Sequence, residues 1–201
     1  MREYAVLSLH DHPAFLEQLD TDCNLIAFTN GVYDMAGATF RQARPNDFLS
    51  ITTGYAYEKA KAADVAELLE KFIDRVFVNP ALREYWLMNV ASMCDGKARR
   101  QKFNIWTRGG SNGKSMCALL LSTTFGEYCG KLCASFIQSQ RSCAGSAKPE
   151  IMALRGRRFA LMEEPEPDRG LNEGLIKEYS GSDEITGRQL FEAQVTFVPQ
   201  F

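Results

Sequence analysis

The stretch FNIWTRGGSNGKSMCALLLSTTF, residues 103–125, decides the fold. Phe103-Asn104-Ile105-Trp106 reads as a strand, Arg108 to Gly113 as a glycine-rich loop, and Lys114 to Phe125 as a helix. In that order, backbone N–H groups and a helix N-terminus converge on one point and can cradle phosphates. Gly109, Gly110, Ser111, Asn112 and Gly113 would form the cradle, because glycine lets the backbone approach an anion closely. Lys114 would reach the β- and γ-phosphates of ATP, and the Ser115 hydroxyl would ligate Mg²⁺. Arg108 stands where the strict pattern has glycine, six residues before Lys114. The competing reading is a glycine-rich turn with an incidental lysine.

A second strand with a chemical ending follows some fifty residues later, at Arg157-Arg158-Phe159-Ala160-Leu161-Met162-Glu163-Glu164. Four apolar residues deliver two carboxylates to the strand's C-terminal edge, where open α/β sheets bind ligands. One carboxylate there can hold the Mg²⁺ shell while its neighbour orients and deprotonates water. Glu163 and Glu164 are the catalytic candidates. Together the two blocks predict an α/β chain with a parallel-sheet P-loop NTPase core and a small N-terminal α+β region.

Working outward, Pro13 to Leu19 reads as a short helix. Leu25–Phe28 and Val32–Met35 read as strands about an Asn30-Gly31 turn, and Arg44 to Asp47 as a further turn. Phe48 to Tyr57 is expected to be extended. Apolar residues at 3.6-residue spacing predict a helix over 64–77 capped by Asp64, and another from Pro80 to Met93 stopped by Asp95-Gly96. Helices over 149–154 and 171–179, then a hairpin over 185–201, complete the pattern. Residues 1–60 are expected to precede the motor and 61–201 to form it.

Composition narrows the class. The 201 residues are 45% apolar and 24% charged, a balance that supports a packed core. No apolar run is long enough to cross a bilayer, and no leader pattern opens the chain, so an intracellular protein without a membrane partner is expected. Six cysteines without a Cys-x-x-Cys pair, and histidines only at 10 and 12, exclude zinc-ligand spacing. They read as reduced, small core side chains. The net charge of −2 is no signature of nucleic-acid binding.

At this point the chain resembles the superfamily III helicase domain of viral primase-helicases, the poxvirus, giant-virus and phage type within the AAA+ class. Four blocks carry the likeness. They are Asn30 to Asp34 with Arg44 to Asp47 and Thr53-Gly54, the loop Ser111 to Ser115, Phe125 to Gly130, and Phe159 to Glu166 continuing to Phe201. The resemblance implies ATP hydrolysis with Mg²⁺ driving movement on single-stranded or forked DNA, a homohexamer in the full-length protein, and a site of action in the host cytoplasm or at viral replication sites. It also implies that Lys177 and Arg188, on and after the block Leu175 to Asp183, contact the DNA backbone, a salt-sensitive and sequence-independent interaction. Ordinary surface charge is the alternative for both, and Phe191 reads either as a channel-loop residue or as buried between strands. The resemblance further implies an AAA+-like core and makes Glu164 the safer catalytic assignment, since relatives commonly carry a neutral residue at the position matching Glu163. Complete members continue into a sensor strand and an arginine finger, and neither is found within residues 1–201. Two other functions stay open: nucleotide or DNA binding without hydrolysis, and a P-loop small-molecule kinase.

Overall fold

The computed structural model describes residues 13–97, 101–107, 109–110, 113–140, 146–192 and 194–201. A short helix, α1 (Pro13–Gln18), leads into an antiparallel meander of β1 (Leu25–Phe28), β2 (Gly31–Asp34) and β3 (Thr39–Arg41). Its register pairs Ile26 with Tyr33 and Tyr33 with Phe40. The turn comes one residue earlier than the sequence suggests. Phe28 pairs with Gly31, so Thr29 and Asn30 make the bend. A Cβ at Gly31 would meet the Phe40 ring. Asn30 instead uses its side chain, donating to the Tyr57 carbonyl (3.1 Å) and accepting from the Tyr57 N–H (2.8 Å). Residues 48–57 form no strand among the described residues.

Two long helices follow, α2 (Lys59–Val76) and α3 (Pro80–Asp95). The expected cap Asp64 lies inside α2, which begins a turn earlier. Asn79 caps α3 by accepting from the N–H groups of Ala81 (2.9 Å) and Leu82 (3.4 Å), and Gly96 ends it in the left-handed conformation. Helix α4 (Lys114–Phe125) falls where the sequence puts it. A 3₁₀ turn (Gly126–Tyr128) carries the chain into β4 (Cys129–Leu132), a strand the sequence reading missed. Then come α5 (Ser135–Gln138), α6 (Pro149–Met152), β5 (Phe159–Met162), α7 (Glu173–Ser180) and the antiparallel hairpin β6 (Ile185–Gly187) and β7 (Val195–Phe197).

The molecule is mixed α/β with a small parallel sheet: β4 and β5 pair in parallel, Cys129 with Phe159 through Leu132 with Met162. Alternate residues face two cores. Phe159 and Leu161 join the first, which holds Ile26, Ile73, Trp86, Cys117, Leu121, Phe125 and Tyr128. Ala160 and Met162 join the second, around Leu132, Ile151, Leu154, Leu175, Tyr179, Ile185 and Phe197. A strand covered on both faces accounts for the uninterrupted Phe-Ala-Leu-Met run. Because Ile26 of β1 shares a core with Cys117 and Phe159, the N-terminal meander and the parallel pair are packed as neighbours.

One expectation fails. Residues 101–107 form no strand: the segment lies along α3, where Tyr85 donates to Asn104 (3.1 Å) and the Lys102 ammonium sits 5.3 Å from the Tyr85 ring centroid. A strand requires a ladder partner, and Phe103, Ile105 and Trp106 remain exposed without one among the described residues.

Candidate functional site

The candidate phosphate loop begins in open space. A Cβ at Gly109 or Gly110 would meet nothing within 4 Å, so there is open room beside the backbone in that direction. Arg108, Ser111 and Asn112 lie outside the described residues. Gly113 is the opposite case: it caps α4 with φ of 84°, and a Cβ there would fall 2.8 Å from Val76 Cγ2. Only glycine fits both the left-handed backbone and the wall that α2 supplies. The first intrahelical bond runs from Cys117 N–H to the Gly113 carbonyl (2.9 Å), and the N–H groups before it point out of the helix. Lys114 occupies the first helical position half-buried, and Ser115 is exposed next to it.

At its other end, α4 is held fast. Phe125 packs edge-on against Phe159, with ring centroids 5.2 Å apart at 79°. The start of β5 therefore sits at the C-terminal end of the helix whose N-terminal end carries Lys114. Glu163 and Glu164 directly follow the last residue of β5 and are both exposed. Glu163 shares its edge with Cys133, the residue after β4. The Cys133 thiol is lowered from its ordinary value by the Ser135 hydroxyl, 3.0 Å away, and backbone N–H, with Glu163 and Glu166 opposing. Among the described residues, Ser115 makes no hydrogen bond with Glu163 or Glu164.

These donors fit the groups the loop implies. Open glycine backbone at the head of a twelve-residue helix suits phosphates, and exposed carboxylate and hydroxyl oxygens suit a hard divalent cation. Among the described residues, this edge included, no group of three or more His, Cys, Asp or Glu could hold a metal.

Sequence reading did not find the cavity of about 280 Å³ beside this edge, lined by Cys133, Ser135, Lys148, Glu150 and Tyr179 among others. The Lys148 ammonium lies 3.2 Å from the Tyr179 hydroxyl and 3.6 Å from Glu178; burial works against its charge, but the Tyr179 hydroxyl and then Glu178 outweigh it and hold its proton more tightly than usual. The i, i+4 spacing of Leu175 and Tyr179 is the sequence signal that could have placed Tyr179 on an inner helix face.

The other predicted contacts sit on the hairpin side. Lys177 is exposed in the last turn of α7, and Arg188 follows β6, its carbonyl accepting the Lys148 N–H at 3.0 Å. The hairpin tip settles the placement of Phe191, which is 100% exposed, with φ of 64°, beside an exposed Leu190. Of the described cysteines, Cys117 is buried as expected, Cys23, Cys94 and Cys129 are half-buried, and Cys133 is exposed; Cys143 lies outside the described residues. No helix among the described residues is long and apolar enough to cross a membrane.

Comparison with known proteins bears on this arrangement. Residues 2–78 match the family model described as D5 N terminal like. A protein of Acanthamoeba polyphaga mimivirus named as a candidate helicase is 32% identical over 190 residues, covering 94% of this chain. One of Invertebrate iridescent virus 6, named likewise, is 32% identical over 178 residues, or 87% of the chain. The chain is homologous to proteins named as helicases and primases of large DNA viruses. A candidate primase of African swine fever virus belongs to the same set, at 26% identity over 191 residues and 92% of the chain. The chain spans 20%, 18% and 20% of these three relatives, about a fifth of their length.

Proposed function

We propose that this chain is the nucleotide-binding segment of an ATP-dependent DNA helicase motor, part of a primase-helicase that replicates a large DNA virus. The observation that carries the reading is the glycine loop ending at Lys114-Ser115 on the N-terminus of α4, a helix anchored at its far end to the strand that carries Glu163 and Glu164. The relatives' names support the same class.

In this reading residues 1–60 lead into the motor and 61–201 carry it, on a P-loop NTPase core of AAA+ type. Gly109 to Gly113, with Ser111 and Asn112, hold the phosphates; Lys114 neutralises their charge; Ser115, Glu163 and Glu164 hold Mg²⁺. The ion would spread the charge that develops on the transferred phosphoryl group. Glu164 takes the proton of the attacking water. Lys177 and Arg188 meet DNA phosphates, and Phe191 at the hairpin tip offers a ring on which a base can stack. Full-length protein would assemble as a hexamer and act in the host cytoplasm or at viral replication sites.

Titration calorimetry with Mg-ATP tests the reading. Wild-type chain should bind, and Lys114→Ala, folded by circular dichroism, should not. Equal binding by the two would remove the phosphate cradle, and no binding by folded wild type would remove the nucleotide site.

A further inference from the structure

We infer that Arg158 is a positioning residue for the acidic end of β5, tying the start of that strand to β1 and so setting where Glu163 and Glu164 emerge. Arg158 stands immediately before β5 and is only 2% exposed. Its Nη1 donates to the Cys23 carbonyl (2.6 Å) and its Nη2 to the Leu25 carbonyl (2.7 Å), at the entry to β1. Its guanidinium carbon lies 5.6 Å from the Tyr128 ring centroid, and its own N–H donates to the Tyr128 carbonyl (2.8 Å). The Tyr128 hydroxyl accepts the Ala27 N–H (2.8 Å), closing a junction of β1, the turn after α4 and β5.

The chemistry of this junction is costly. Among the described residues no carboxylate forms an ion pair with Arg158, and its Nε has no hydrogen-bond partner. Burial pushes its pKa down, although an arginine stays charged in a protein. Room for it requires Gly96, because a Cβ there would overlap Nη1. A buried, incompletely satisfied cation is a poor source of stability compared with an apolar side chain of similar size. What the guanidinium supplies instead is geometry: two directed bonds that lock one end of a four-residue strand to a different sheet. Among the described residues the parallel ladder pairs β5 with one four-residue partner, so an anchor outside the ladder adds to what fixes the strand lengthwise. Glu163 and Glu164 lie five and six residues further along the chain, directly after the last residue of β5.

The inference rests on the proposed role of those carboxylates at Mg²⁺. It is tested by titrating ATP, with Mg²⁺ and with EDTA, into wild type, Arg158→Met, Arg158→Lys and Tyr128→Phe, alongside amide hydrogen exchange over residues 159–164. Folded Arg158→Met should bind metal-free ATP as wild type does, lose about 10-fold of the gain that Mg²⁺ gives, as expected when a positioning group is removed, and exchange faster over 160–164. Arg158→Lys should restore part of both. Tyr128→Phe, which keeps the ring and releases the Ala27 N–H and the Ile51 carbonyl, should move both readouts the same way by less, and serves if Arg158→Met does not fold. A lower melting temperature with the Mg²⁺ gain and the exchange rates unchanged would overturn the inference and leave the nucleotide site standing. Wild type that binds no ATP would remove the site reading, and the inference with it.

Discussion

Thr52 and Glu127 hold each other at both ends of one short bridge. The Thr52 N–H donates to Glu127 Oε2 at 2.8 Å, and the Glu127 N–H donates to the Thr52 carbonyl at 3.1 Å. Residues 75 positions apart are joined as a strand pair would be, although neither lies in a strand. The bridge docks the loop after the N-terminal meander onto the turn after α4, the helix that begins with Lys114. Tyr55 adds a second tie to the same place, donating its hydroxyl proton to the Thr124 carbonyl at 2.7 Å.

Glu127→Ala should therefore lower the free energy of unfolding by about 1 kcal/mol, read as a lower urea midpoint with the slope unchanged. Glu127→Gln keeps an oxygen acceptor and should lose less. Equal losses would show that the carboxylate charge, rather than the bond to Thr52, matters.

Gly126 sits in the same turn at φ of 55°, and an added Cβ would collide with the Thr53 carbonyl. Gly126→Ala should cost roughly 2 kcal/mol or more, because backbone cannot swing away as a flexible side chain can. Gly110→Ala has open space around it and should leave thermal unfolding unchanged while weakening Mg-ATP binding. The pair separates glycines needed for docking from glycines needed for a ligand.

Hydrolysis should divide the two carboxylates. Glu164→Gln should weaken Mg-ATP binding in part, as the loss of one of two carboxylates at the ion, and lower phosphate release in the full-length protein by about 100-fold or more, the scale of a lost general base. Glu163→Gln should weaken the Mg²⁺ dependence of binding. Steady-state phosphate release with and without single-stranded DNA, next to binding titrations, separates these outcomes. DNA-stimulated turnover would also exclude a chain that only binds.

Phe191 at the hairpin tip touches little of the fold, so Phe191→Ala should leave the melting temperature unchanged. Single-stranded DNA should bind about 10-fold more weakly, the loss of one stacked base. Arg188→Ala should instead flatten the salt dependence of binding. Fluorescence anisotropy at several salt concentrations reads both.

Acid should expose the Arg41–Asp47 pair. Two bonds of 2.8 Å join Arg41 to both Asp47 oxygens, and the Arg44 N–H adds a third at 2.7 Å, so the Asp47 carboxyl lies below its ordinary value. A depressed folded-state pKa contributes stability that is complete above the unfolded carboxylate value, near 4, and is lost as pH falls through the lower folded value. Urea midpoints measured from pH 5 down to pH 2 should fall less steeply for Asp47→Asn than for wild type.

Local pattern determined what depends on neighbours in the chain. The helix Lys114–Phe125 and the strand Phe159–Met162 fall where apolar spacing puts them, Pro80 starts its helix, and Gly96 stops it. Carboxylates at the end of a strand, and glycines before a lysine at the head of a helix, are equally legible, because residues set directly against an element's end keep that place however the element packs. Tertiary structure decided what depends on partners. Phe103–Trp106 has a strand's composition and no strand, since a ladder is a property of two segments. Cys129–Leu132 has the unpromising composition Cys-Gly-Lys-Leu and is a strand because Phe159–Met162 lies alongside it. The cavity beside Cys133 is lined by residues as far as Tyr179, and the Arg158 guanidinium is buried against carbonyls 133 and 135 residues earlier in the chain, and no spacing rule reaches that far.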